Sequence, residues 1–71
     1  MRDGVLTPIE SQEAFLQFVK EHGTVTFHQC RMFEQRPEID FGLVNVTAVM
    51  LAKRDMNKIT IDFENRLVSV R

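Results

Sequence analysis

The sequence predicts a mainly β domain with one N-terminal helix, its strands forming a small, bent antiparallel sheet. Three observations carry that reading. Ile59, Ile61 and Phe63 alternate with Lys58, Thr60, Asp62 and Glu64, the period of a half-buried strand. The polar break Glu64-Asn65-Arg66 leads at once into a second β-rich run, Leu67 to Val70, as in two strands joined by a tight connection. Upstream, Thr7-Pro8-Ile9-Glu10 has the spacing of a capping box with proline at the first helical position.

The helix is expected over about 8–22. Ile9, Ala14, Phe15, Leu16, Phe18 and Val19 give it a broad apolar face, and Gln12, Glu13, Gln17, Lys20 and Glu21 occupy the other side. Gly23 follows as the permissive residue past the helix end. Antiparallel strands are expected over about 24–71, within a single domain covering 1–71. Thr24 to Phe33 is rich in β-formers, with Val25 and Phe27 on one face and His28, Cys30 and Met32 on the other. Glu34 to Glu38 contains Pro37 and reads as a loop. From Phe41 to Leu51, Val44, Val46, Ala48 and Met50 alternate with Asn45 and Thr47, a strand that bends at Gly42 or breaks near Thr47-Ala48. Ala52-Lys53-Arg54-Asp55 reads as a charged turn. Consecutive strands with short connections favour a meander, and the strand at the end of the sequence is expected at a sheet edge, open to pairing with another chain.

A second parse uses the same residues differently. Helices from Phe27 to Gln35 and from Phe41 to Arg54, followed by the hairpin, make the pattern of a winged helix. Against it, Val44, Val46, Thr47 and Val49 crowd β-branched residues into the would-be recognition helix. Its nucleic-acid face would present Asn45, Thr47 and Val49 in place of arginines.

Size and composition narrow the function classes. A chain of 71 residues buries only about 60% of its unfolded surface, so small domains often gain stability from disulfides, metal or oligomerisation. Cys30 is the only cysteine, which excludes an intrachain disulfide and points to a reducing compartment. With His22 and His28 it falls short of a closed four-ligand zinc set. No apolar run approaches a membrane span, and Met1-Arg2-Asp3-Gly4 does not open a signal peptide. A net charge of −1 lacks the basic excess of a domain that binds nucleic acid through phosphates.

The candidate chemistry is sparse. On a strand, His28 and Cys30 share a face and form a nominal Cys-His pair, but no third group supports them. The carboxylate pairs Glu38/Asp40 and Asp62/Glu64 alternate with apolar residues and fall on the solvent side. Lys53-Arg54 with Lys58 makes a small basic turn that could touch phosphate. No phosphate loop, catalytic triad or zinc spacing is present. An enzyme is not expected, and neither a cofactor, a metal nor a small-molecule substrate is implied.

Several stretches resemble the Sm/LSm family, whose fold is a helix followed by a bent antiparallel barrel. Phe15-Leu16 to His22-Gly23-Thr24-Val25-Thr26-Phe27 resembles the helix-to-first-strand entry. Phe41-Gly42-Leu43-Val44-Asn45-Val46 resembles the bent second strand, and Ile59 to Val70 the paired last strands. The uridine-contacting motifs are replaced by Thr47-Ala48-Val49-Met50-Leu51 and Ile61-Asp62-Phe63, which speaks against direct RNA binding. That profile is similar to the Sm-like Gemin subunits of the SMN complex, most clearly at Asp40-Phe41-Gly42 and Thr24 to Phe27. The resemblance implies a non-catalytic subunit that pairs with another Sm-like, Gemin-type protein and further SMN-complex subunits. It implies a part in assembling spliceosomal snRNP cores, in cytoplasm and nucleus. The implied interface is edge-strand addition through Ile59, Ile61, Phe63, Leu67, Val68 and Val70.

Overall fold

The computed structural model describes residues 5–71; the signal-peptide reading, at Met1 to Gly4, lies outside the described residues. The elements are α1 (Pro8–His22), β1 (Thr24–Thr26), α2 (Phe27–Glu34), α3 (Val46–Asp55), β2 (Ile59–Asp62) and β3 (Leu67–Val70). Three helices packed on a three-stranded sheet overturn the mainly β expectation, and the Sm-like barrel with it. Helix, strand, two helices and a hairpin is the order of the winged-helix parse, with α3 beginning later than Phe41.

α1 forms as its sequence dictates. The Thr7 hydroxyl accepts the Glu10 amide at 3.2 Å, and the Glu10 carboxylate accepts the Thr7 amide at 3.0 Å. Two orphan donors are thereby satisfied at once. Gly23, at φ 77°, ends the helix, its amide bonded to the Val19 carbonyl. Ser11, Phe15, Leu16 and Val19 make the buried stripe.

The strand expected over 24–33 ends after three residues because a second capping box interrupts it. Thr26 accepts the Gln29 amide at 3.1 Å, and the Gln29 side chain accepts the Thr26 amide at 2.8 Å. From there the burial period is helical, Cys30 and Phe33 facing inward.

The strand expected from Phe41 is also corrected. Residues up to Asn45 form a loop, and α3 follows. Asn45 caps it by accepting the Ala48 amide at 3.0 Å. Its β-branched residues cost a few tenths of a kcal/mol each in propensity. Burying Val46, Val49 and Met50, all 5% exposed or less, returns roughly 1.5–3 kcal/mol apiece. Burial wins. The supposed charged turn at Ala52 to Asp55 is the last turn of this helix. Lys53 within it is buried, its ammonium 3.6 Å from Glu13 on α1. α3 stops at a Schellman motif: Asn57, at φ 62°, donates to the Arg54 carbonyl, and Lys58 donates to that of Lys53.

The sheet order is β1-β3-β2, every pair antiparallel. Val25 faces Val68, which in turn faces Ile61. β3 is therefore the central strand, not an edge. The helices cover one side of the sheet with Phe15, Val19, Cys30, Phe33, Val49, Ile59 and Val68 at the centre of the core. The Ser11 hydroxyl, fully buried, accepts the Asp40 amide at 2.9 Å and holds the α2–α3 loop on α1.

Candidate functional site

The hairpin between β2 and β3 stands beside α2 and α3, and a groove of about 620 Å³ opens between the three. Each wall has a local cause. Asp62 builds the hairpin turn: its carboxylate accepts the Glu64 and Asn65 amides, each at 3.1 Å, and the Asn65 side-chain amide at 2.8 Å. Those bonds, the Asn65 side chain's foremost, hold the Asp62 carboxyl below the ordinary aspartate value of 3.8. Arg66 closes the turn at φ 57°. Its carbonyl accepts the Phe27 amide at 3.0 Å, which ties the hairpin to the start of α2.

The turn carries Phe63, 57% exposed, which lines the groove. Its ring meets Phe27 edge-on, centroids 6.1 Å apart, and the Arg54 guanidinium lies 5.9 Å from its centroid. Phe27, Met50, Leu51 and Ile61 supply apolar lining, and Thr47 and Leu51 run along the α3 side. Arg31 from α2 and Arg66 from the hairpin flank it. Both are exposed, and neither side chain has an ion-pair or hydrogen-bond partner among the described residues. Glu34, also on the wall, is already committed: its carboxylate accepts the Val46 amide at 2.6 Å.

The residues expected at a strand interface are separated by this arrangement. Ile59 and Val68 are fully buried in the core. Ile61 and Leu67 are half-buried, Phe63 lies in the turn outside β2, and Val70 is 37% exposed at the far end of β3. Only Ile61 and Phe63 of that set line the groove.

The other candidates also part company. On α2, His28 is exposed and Cys30 is buried, so they share no face. Burial pushes the Cys30 thiol up to about 11, which makes it a poor nucleophile. Lys53 packs in the core while Arg54 and Lys58 face solvent, so the basic turn does not exist as a unit. Val49 is buried, leaving Thr47, Ala48 and Ala52 as the fully exposed residues in the first seven positions of α3. Arg31, Thr47, Leu51, Asn65 and Arg66 are groove residues that the strand reading missed; the Thr26-Phe27-His28-Gln29 spacing was the signal that would have found Arg31.

Among the described residues, no cluster of His, Cys, Asp and Glu could hold a metal, and no helix is long and apolar enough to cross a membrane. Comparison with protein-family models, curated proteins and solved structures finds no match.

Proposed function

We propose that this chain is a non-catalytic, protein-binding domain of winged-helix type, with its contact in the groove between α2, α3 and the hairpin. The observation that carries the reading is Phe63, 57% exposed and lining the groove beside Phe27, Met50, Leu51 and Ile61. Covering the exposed part of the ring gains roughly 1–2 kcal/mol, and exposed aromatics of this kind act as interface anchors.

Charge favours protein over nucleic acid as the partner. The net charge is −1. The exposed side of α3 offers Thr47, Ala48 and Ala52 before its first exposed cation, Arg54, which already lies against Phe63. A duplex-binding helix normally sets arginines or lysines against phosphates along its length. The reading keeps the protein-pairing class implied by the Sm-like resemblance and replaces its route. Strand addition through β3 is blocked, because both edges of that strand are already paired; β1 and β2 are the sheet's edges, and the exposed Phe63 favours the groove over them.

Site-specific photocrosslinking tests this. A photoreactive phenylalanine analogue at Phe63 should give a reproducible protein adduct in the cells that make this chain, whereas one at Lys20 on the outer face of α1 should not. Nucleic-acid adducts from Phe63 would overturn the proposal.

A further inference from the structure

Resting on that protein-binding reading, we infer that the groove's partner is a short acidic segment carrying apolar anchors. Charge complementarity around a partly apolar lining favours such a segment. Arg31, on α2, and Arg66, on the hairpin, both line the groove, and neither makes an ion pair with a carboxylate of the described residues. The one acidic lining residue, Glu34, gives one carboxylate oxygen to the Val46 amide and keeps its charge, so the lining sets two arginines against one carboxylate. Asp62, next to the groove, spends both of its oxygens inside the turn. The guanidinium groups are thus left to an outside acceptor, and paired arginines are the usual recognition device for acidic motifs.

The apolar part of the lining is Phe27, Val46, Met50, Leu51, Ile61 and Phe63. Leucine or phenylalanine side chains of a partner would pack there while its carboxylates reach the rim. A volume of about 620 Å³ lies within the ~300–1,000 Å³ typical of pockets for small ligands. It holds a few side chains, not a folded domain. A basic segment would face two unpaired arginines, and a like-charge approach disfavours the wrong partner.

The test follows amide shifts of the isotope-labelled full chain on titration with three octapeptides and a short random-sequence duplex DNA. The first peptide alternates aspartate with leucine and phenylalanine. The second replaces its aspartates with lysine, and the third replaces its apolar residues with serine. The inference expects shifts at Arg31, Thr47, Leu51 and Arg66 with the first peptide, at an affinity at least about tenfold above both controls. Arg31→Glu combined with Arg66→Asn should remove that advantage while the amide spectrum stays dispersed; asparagine is chosen because it tolerates the positive φ of Arg66. Equal binding of the lysine peptide in the groove would overturn the acidic preference and leave the protein-binding reading standing. Tighter binding of the duplex at the same amides would sink the protein-binding reading itself. No shift with any peptide at millimolar concentration would overturn the inference.

Discussion

The carboxylate of Glu34, the last residue of α2, accepts the amide of Val46, the first residue of α3, at 2.6 Å. One charge-assisted bond across the intervening loop thus fixes where the third helix begins. It satisfies a donor that the helix cannot satisfy itself, and it places a carboxylate at the positive end of the helix dipole.

Glu34→Ala should therefore lower stability by about 1.5–3 kcal/mol, the range for a part-buried hydrogen bond to a charged group. Urea unfolding would show it as a lower midpoint at unchanged slope. Glu34→Gln keeps the acceptor without the charge and should lose about half as much. A midpoint unmoved in Glu34→Ala would mean that Asn45 alone suffices to start α3.

Thr26→Ala should cost about 1 kcal/mol by removing the acceptor for the Gln29 amide. The same threonine pairs with Leu67 across the sheet, so amide exchange should quicken in both α2 and β3. Faster exchange confined to α2 would show that the cap and the strand pairing are energetically independent.

Lys53 and Glu13 test the value of a half-exposed ion pair. The Lys53 side chain is 6% exposed and that of Glu13 is 65% exposed, so solvent screens one end of the pair. Glu13→Gln should shift stability by no more than about 0.5 kcal/mol. Lys53→Met keeps the packed aliphatic stem and removes an ammonium that still reaches solvent, so stability should change by no more than the ~1 kcal/mol that an exposed ion pair contributes at most. A larger loss in calorimetry would instead make the ammonium an anchor between α1 and α3.

Acid should loosen the hairpin and the start of α1. The carboxyl of Glu10 lies below its ordinary value of 4.5, chiefly through the Thr7 amide, and that of Asp62 lies below 3.8 through Asn65. A depressed folded value gives stability that is complete above the unfolded value and is lost as pH falls through the folded one. Melting temperature should therefore decline below about pH 4. Asp62→Asn should flatten that decline, since the amide oxygen accepts at any pH. An unchanged acid limb in Asp62→Asn would assign the decline to other carboxylates.

α1 was legible to the residue because everything that defines it is local: a box at Thr7 and Glu10, a proline, an apolar stripe and Gly23. The hairpin was legible from alternation, although Phe63 belongs to the turn rather than to β2. α2 was misread despite carrying a capping box of the same kind, because Val25, Phe27 and Met32 outweighed Thr26 and Gln29 in the pattern. α3 was harder. Its valines argue for a strand, and the local Asn45 cap is outweighed in the pattern; what completes the helix is burial against α2 and β2 with a bond from Glu34, neither of them local. The groove depends on how three elements meet, so its residues were visible and their proximity was not.

The sheet order carries a consequence for the newborn chain. β1 has no strand to pair with until residues 67–70 exist, and Thr24 pairs with Ser69 across a separation of 45 residues. During synthesis, α1, α2 and α3 can coil as they emerge, but Val25 and Ile61 lack their shared neighbour until Val68 slots between them. Closure of the domain waits for the ribosome to release β3, and that interval exposes apolar surface to chaperones and to neighbouring chains.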